Sequence, residues 1–184
     1  MTSPAVKSSA SPALNRIVLV LLSAWLGTGL FVWWSAAGTF EVLSAKKNPE
    51  LARRLAPMPE ARRERVLRRA AGEVNGRLFR GWNAAQLAAA IVVLGAGLRR
   101  RREAGWLAGV VLPGTLFLIV AVHMFWLGPE IEAGGRALDL AEGARAAAAR
   151  RFALVHGGYM ASDLAKTGLL GWAVWLAARR GGGA

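Results

Sequence analysis

The chain has 184 residues, 54% of them hydrophobic against 19% charged, and its mean hydropathy is positive. The apolar residues gather into four long blocks, which excludes an ordinary soluble domain and points to a small, all-α polytopic membrane protein. The sequence has no cysteine, so disulfides, thiolate nucleophiles, cysteine-ligated zinc and iron–sulfur clusters are excluded. The formal charge of +13 lies between the apolar blocks, so the partners it implies are the lipid bilayer and anionic lipid headgroups, with no nucleic acid.

Residues 1–16, rich in Ser, Pro and Ala, read as a disordered tail. The first span, 17–42, has no charge before Glu41 and is too long for the core of a signal peptide, so it reads as an uncleaved membrane helix. The charged segment 43–77 begins with Asn48 as a helix N-cap and Pro49 at the first helical position. A second helix starts near Pro59 with Leu67, Ala71, Val74 and Leu78 on one stripe, and its basic residues face anionic headgroups. Two interfacial amphipathic helices are therefore expected between spans one and two, the longer running on into the second span. That span, 78–98, stops at Arg99, Arg100, Arg101 and Arg102, and the third, 105–127, carries Trp106 and Trp126 as interfacial anchors. Gly128 and Pro129 open a mixed-charge loop whose Ala/Glu-rich part, from Leu138 onward, favours a short interfacial helix. The fourth span is 152–178, and 179–184 read as a tail.

The expected architecture is a four-transmembrane-helix bundle. Its orientation follows from the dense Arg99 to Arg102 cluster, which places both termini in the cytoplasm of a bacterial inner (plasma) membrane, although the long loops hold more Lys and Arg in total.

His123 lies about one turn before the end of the third span and His156 about one turn after the start of the fourth. The two imidazoles should share a depth, and as a pair they suit haem or a transition metal as well as hydrogen bonding between helices. Along the fourth span His156, Tyr159, Asp163, Lys166 and Thr167 fall on one side, a polar stripe that lipid cannot cover. Asp163 and Lys166 are spaced to pair with each other. The second span answers with Asn75, Trp82, Asn83 and Gln86, whose amides suit bonds to the fourth. A phosphate-binding loop, a nucleophile elbow and a zinc-binding H-E-x-x-H helix are missing from the sequence. Of hydroxyl, imidazole and carboxylate groups, only Ser162 and Asp163 near His156 approach a triad.

Four blocks, WLGTGLFVWWSAAGTFEVL, AGEVNGRLF, VHMFWLGPEIE and RFALVHGG, together resemble the bacterial four-span domain of unknown function 4149, with its transmembrane protein 205-like relatives linked to drug resistance. The most specific pieces are His123 with Pro129, and Phe152 with His156 and Gly157. Gly38 stands where that family has proline, and Tyr159 and Met160 where small hydroxyl residues are usual. The resemblance implies four helices with the termini inside and interest in both histidines; it names no reaction. The reading that follows is a non-enzymatic membrane protein with a polar, histidine-lined site for a small ligand, a proton path or a cofactor. The alternatives are an oligomeric small-solute transporter or channel, which would require a homo-oligomer, and a haem- or metal-binding oxidoreductase component.

Overall fold

The structure, a computed structural model, describes residues 12–140 and 145–181. Among these, every secondary-structure element is helical: α1 (Pro12–Val42), α2 (Pro49–Arg54), α3 (Glu60–Arg99), α4 (Arg101–Trp106), α5 (Leu112–Val122), α6 (Gly128–Leu140) and α7 (Arg145–Gly181). Two π-helical turns, Leu107–Val111 and His123–Leu127, join α4 to α5 and α5 to α6. Three stretches are long and apolar enough to cross a membrane: Ala13–Val42, Glu60–Arg99 and Ala104–Leu138. By length and composition, then, this is a membrane protein of all-helical class.

The helices outrun the apolar blocks that predict them. Pro12 opens α1, so residues 12–16, expected as tail, are helical; proline's fixed φ and missing N–H suit a helix start. Residues 1–11 of that expected tail lie outside the described residues. At the other end α7 runs to Gly181, where the Arg179 guanidinium lies 3.9 Å from the centre of the Trp175 ring and prolongs the last turns; residues 182–184 again lie outside the described residues. Asn48 caps α2 by accepting from the Leu51 N–H at 3.1 Å, while its Nδ2 donates to the Val42 carbonyl at 3.0 Å. One side chain thus serves the end of α1 and the start of α2. α3 is continuous over 40 residues, about 60 Å at 1.5 Å per residue, twice the hydrocarbon thickness of roughly 30 Å.

The mixed-charge loop expected after Gly128 is instead helix. Proline lacks the N–H for the carbonyl four residues back and its ring crowds that carbonyl, which ordinarily breaks a helix. Here each proline sits just beyond a π-turn. The Leu112 N–H bonds the Leu107 carbonyl ahead of Pro113, and the Gly128 N–H bonds the His123 carbonyl ahead of Pro129. Closing the ring five residues back widens the helix where the proline needs room, so the column continues through Pro129 into α6. Of the interfacial helix expected from Leu138 onward, residues 141–144 lie outside the described residues, and α7 takes up the chain at Arg145.

α1 and α5 each pack against both α3 and α7, and α6 packs against α7. Two glycines let α3 approach the third column: a Cβ on Gly97 would collide with the Gly109 carbonyl, and one on Gly109 would stand 3.1 Å from the Gly97 carbonyl. Gly105, at φ 77°, makes the sharp turn that starts that column, a conformation side chains resist. The apolar core runs along these contacts and includes Leu22, Trp25, Ala90, Val93, Leu116, Val120 and Leu170.

Candidate functional site: a buried polar cluster

Four helical segments bring polar groups into this apolar packing. On α3, Asn83 and Gln86 are three residues apart and buried; on α7, Asp163 and Lys166 repeat that spacing and are each 3% exposed. A difference of three puts both members of a pair on one face, and the two faces meet. Lys166 Nζ donates to Asp163 Oδ1 and to Gln86 Oε1. Gln86 Oε1 also accepts from Trp25 Nε1 at 3.0 Å, and Gln86 Nε2 donates to Asn83 Oδ1 at 3.2 Å. The Tyr159 hydroxyl donates to the same Asn83 oxygen at 3.4 Å. The second carboxylate oxygen of Asp163 accepts from Trp33 Nε1. Each charge is therefore met by an opposite charge and by neutral dipoles, which a charge in a bilayer interior requires.

His123 completes the cluster from the second π-turn and is fully buried. Its Nε2 is 2.7 Å from Ser162 Oγ, its Nδ1 is 3.6 Å from Asp163 Oδ1, and its ring stacks on Tyr159 with centroids 4.3 Å apart. The Nδ1 atom has no hydrogen-bond partner, since 3.6 Å exceeds hydrogen-bond length. Such an orphan nitrogen is costly in an apolar interior, and it faces a carboxylate oxygen within about 1 Å of bonding distance.

The two histidines do not meet. His156 is exposed, its ring stacked on Phe152 at 5.5 Å and 7°. Angular spacing on α7 puts His156 in line with Asp163, but the neighbour changes along the helix. Near Asp163, α7 faces α1, α3 and α5, whereas near Phe152 it faces Gly134 of α6, which turns the buried line toward Val155 and leaves His156 outside. The two histidines therefore do not form a pair that could ligate haem jointly: one imidazole is enclosed by Ser162, Asp163 and Tyr159, and the other faces outward. No group of three or more His, Asp or Glu suited to a metal occurs among the described residues. Glu130 and Glu132 instead pair with Arg151 at 2.7 Å and with Arg80 at 2.5 Å.

Of the remaining predicted positions, Thr167 bonds its own helix at the Asp163 carbonyl, 2.9 Å away. Asn75 ties α3 to α1 through the Ala36 carbonyl at 3.2 Å, below the cluster. Trp82 packs on the apolar core, its ring beside Gly29. Sequence reasoning missed Trp25 and Trp33 as members, and offered Ser162 only beside His156. Only the mid-span position of these tryptophans hints that their indole N–H groups need acceptors.

Ser162, His123 and Asp163 follow the hydroxyl, imidazole, carboxylate order of a charge-relay triad, with His123 in the place that the sequence offers to His156. Ser162 lies inside a continuous helix, where N–H groups are committed to the helix ladder, and its Oγ bonds the Gly158 and Tyr159 carbonyls at 2.9 and 3.0 Å. Committed in this way, the backbone N–H groups around Ser162 do not offer an oxyanion hole among the described residues. A cavity of about 60 Å³ lies away from the cluster, beside Leu22, Val93, Gly97, Leu112, Leu116 and Ala173, with room for a few waters. No family model matches the chain, and neither a curated protein nor a solved structure matches it.

Proposed function

We propose that the chain is a four-span inner-membrane protein whose bundle encloses a proton-exchanging site formed by His123, Asp163 and Lys166. The observation that carries this reading is the contact of three ionisable side chains, exposed by 0%, 3% and 3%, within an apolar helical bundle. A purely structural core is satisfied more cheaply by hydrocarbon, because breaking even with a buried ion pair demands near-complete hydrogen bonding. Here a nitrogen is left without a bond beside the carboxylate. A π-turn places that histidine, and such widened turns recur at functional sites because they re-aim side chains at a cost.

Support for a fourth span comes from the same geometry. α7 falls outside the three most apolar stretches because it carries Asp163 and Lys166, yet both turn inward and pair. Outward it presents Leu154, Met160, Leu164, Trp172 and Trp175, a surface suited to lipid. Arg16, Arg99, Arg101, Arg102 and Arg179 then gather at one end of the bundle, which we assign to the cytoplasm by the positive-inside rule. At the other end Arg62, Arg65 and Arg68 of α3, which have no ion-pair partner among the described residues, face anionic headgroups or solvent. The resemblance to the domain of unknown function 4149 family agrees with this layout.

The test is infrared difference spectroscopy of the protein in bilayers while pH is stepped between roughly 4 and 10, a window spanning ordinary carboxyl and imidazole titration. A carboxyl or imidazole band that titrates, and that Asp163→Asn or His123→Gln removes, supports the reading. Spectra that stay constant across the whole range, with no band lost in either variant, overturn it.

A further inference from the structure

We propose that the corner between α3 and α4 binds an anionic phospholipid carrying two phosphodiesters, with its phosphates on Arg99, Arg101 and Arg102 and its ester region on Trp106. The inference goes beyond the proton-exchanging cluster and does not depend on it.

Two helix ends hold the arginines of this corner in place. α3 ends at Arg99, the Arg100 N–H closes it by bonding the Ala96 and Gly97 carbonyls at 3.2 and 3.1 Å, and α4 restarts at Arg101. Arg100 is half-buried at the mouth of the cavity among the four columns. Arg99, Arg101 and Arg102 stay exposed and have no ion-pair partner among the described residues.

Charge at the other end of the bundle is compensated within the chain. There Lys47 pairs with Glu41, Arg53 and Arg54 with Glu50, Arg69 with Glu73, and Arg151 with Glu130. At the corner the sequence supplies one acid, Glu103, and no other between Glu73 and Glu130. Four guanidinium groups against one carboxylate leave a charge that anions from outside the chain must neutralise. A single phosphodiester carries one negative charge and leaves most of that excess, whereas two come close to matching it. The planar fork of arginine suits the paired oxygens of a phosphate.

The strip beneath the arginines makes the anion a lipid. Gly105, at φ 77°, turns the chain into the stretch Ala104–Leu138, which is long and apolar enough to cross a membrane. Trp106 follows, 69% exposed, and its indole N–H has no acceptor among the described residues. Leu107 and Val111, four apart on the first π-turn, are exposed below it. From the membrane surface inward the order is guanidinium, indole N–H and aliphatic side chain. A phospholipid presents phosphate, ester carbonyl and acyl chain in that same order. A soluble phosphate would use the arginines alone and leave the indole and the aliphatic strip without a role.

Native mass spectrometry of the full chain, released from detergent micelles, tests the site with diphosphatidylglycerol, phosphatidylglycerol and phosphatidylcholine of the same oleoyl chains. Diphosphatidylglycerol is expected to bind as one copy per chain, roughly fivefold or more tighter than phosphatidylglycerol, with phosphatidylcholine weakest. The double variant Arg101→Gln, Arg102→Gln should weaken it by roughly 25-fold, about fivefold for each basic group near an anionic headgroup. Trp106→Leu, which keeps an apolar side chain and removes the N–H, should weaken it by roughly two- to tenfold. Arg62→Gln with Arg65→Gln removes the same charge from the opposite end of the bundle and should leave binding unchanged within about twofold. Helical circular dichroism verifies that each variant is folded. Phosphatidylglycerol binding as tightly as diphosphatidylglycerol, or an equal loss from the Arg62 and Arg65 variant, overturns the proposal, because either result reduces the site to net charge. The proton-exchanging reading survives both results, since none of these residues touches the buried cluster.

Discussion

Replacing Asp163 with Asn removes the carboxylate and keeps its shape, so the effect isolates charge. Lys166 would then hold only Gln86 Oε1 and the neutral Asn carbonyl. An unpaired cation at the middle of a span costs about 2.5–3.5 kcal/mol, and losing one member of a buried pair costs about 3–5 kcal/mol by other measures. The neutral bond kept with Trp33 returns little, since interhelical bonds in membranes average about 0.6 kcal/mol. We therefore expect Asp163→Asn and Lys166→Met each to destabilise by about 3 kcal/mol, more than a hundredfold in the folding equilibrium. The double variant removes both charges and leaves only neutral dipoles unpaired, so it should lose about 1–2 kcal/mol, a coupling of about 4–5 kcal/mol against the summed single losses. Equilibrium unfolding in mixed detergent–SDS micelles, followed by tryptophan fluorescence, gives all three values. Additivity of the two single losses to within about 0.5 kcal/mol would refute the claim that the ion pair closes the cluster.

His156→Ala should leave stability unchanged within about 0.5 kcal/mol in the same unfolding assay, since the residue is exposed; a loss of about 2 kcal/mol or more would refute its outward placement. Gly105→Ala should cost about 1–3 kcal/mol in the same unfolding assay, because φ 77° is a conformation essentially reserved for glycine. Asn48→Ala should cost about 1 kcal/mol and increase proteolytic cutting between α1 and α3, since the side chain serves both α1 and α2. Arg80→Ala, by contrast, breaks an exposed pair with Glu132 and should change stability by less than about 1 kcal/mol.

The sequence by itself determined that the chain is helical and membrane-embedded, because unbroken apolar blocks have no stable alternative that satisfies the backbone. It determined the Asn48 cap and the facing of Asp163 and Lys166, because both depend on spacings of three within one helix. It also placed Gln86 on a polar face of the second span, with Asn83 flanking it. What those faces meet is decided between helices, and no spacing within one segment encodes it. The π-turn at His123 is such a decision: it carries the helix past Pro129 and turns the imidazole toward Asp163, where local rules ended the helix at Gly128. The fate of His156 is another. Its angular position matches Asp163, yet the helix packed beside it is α6 and the buried line passes through Val155. Trp25 and Trp33 joined the cluster for the same reason, since an indole N–H takes whichever acceptor the neighbouring helices bring within reach.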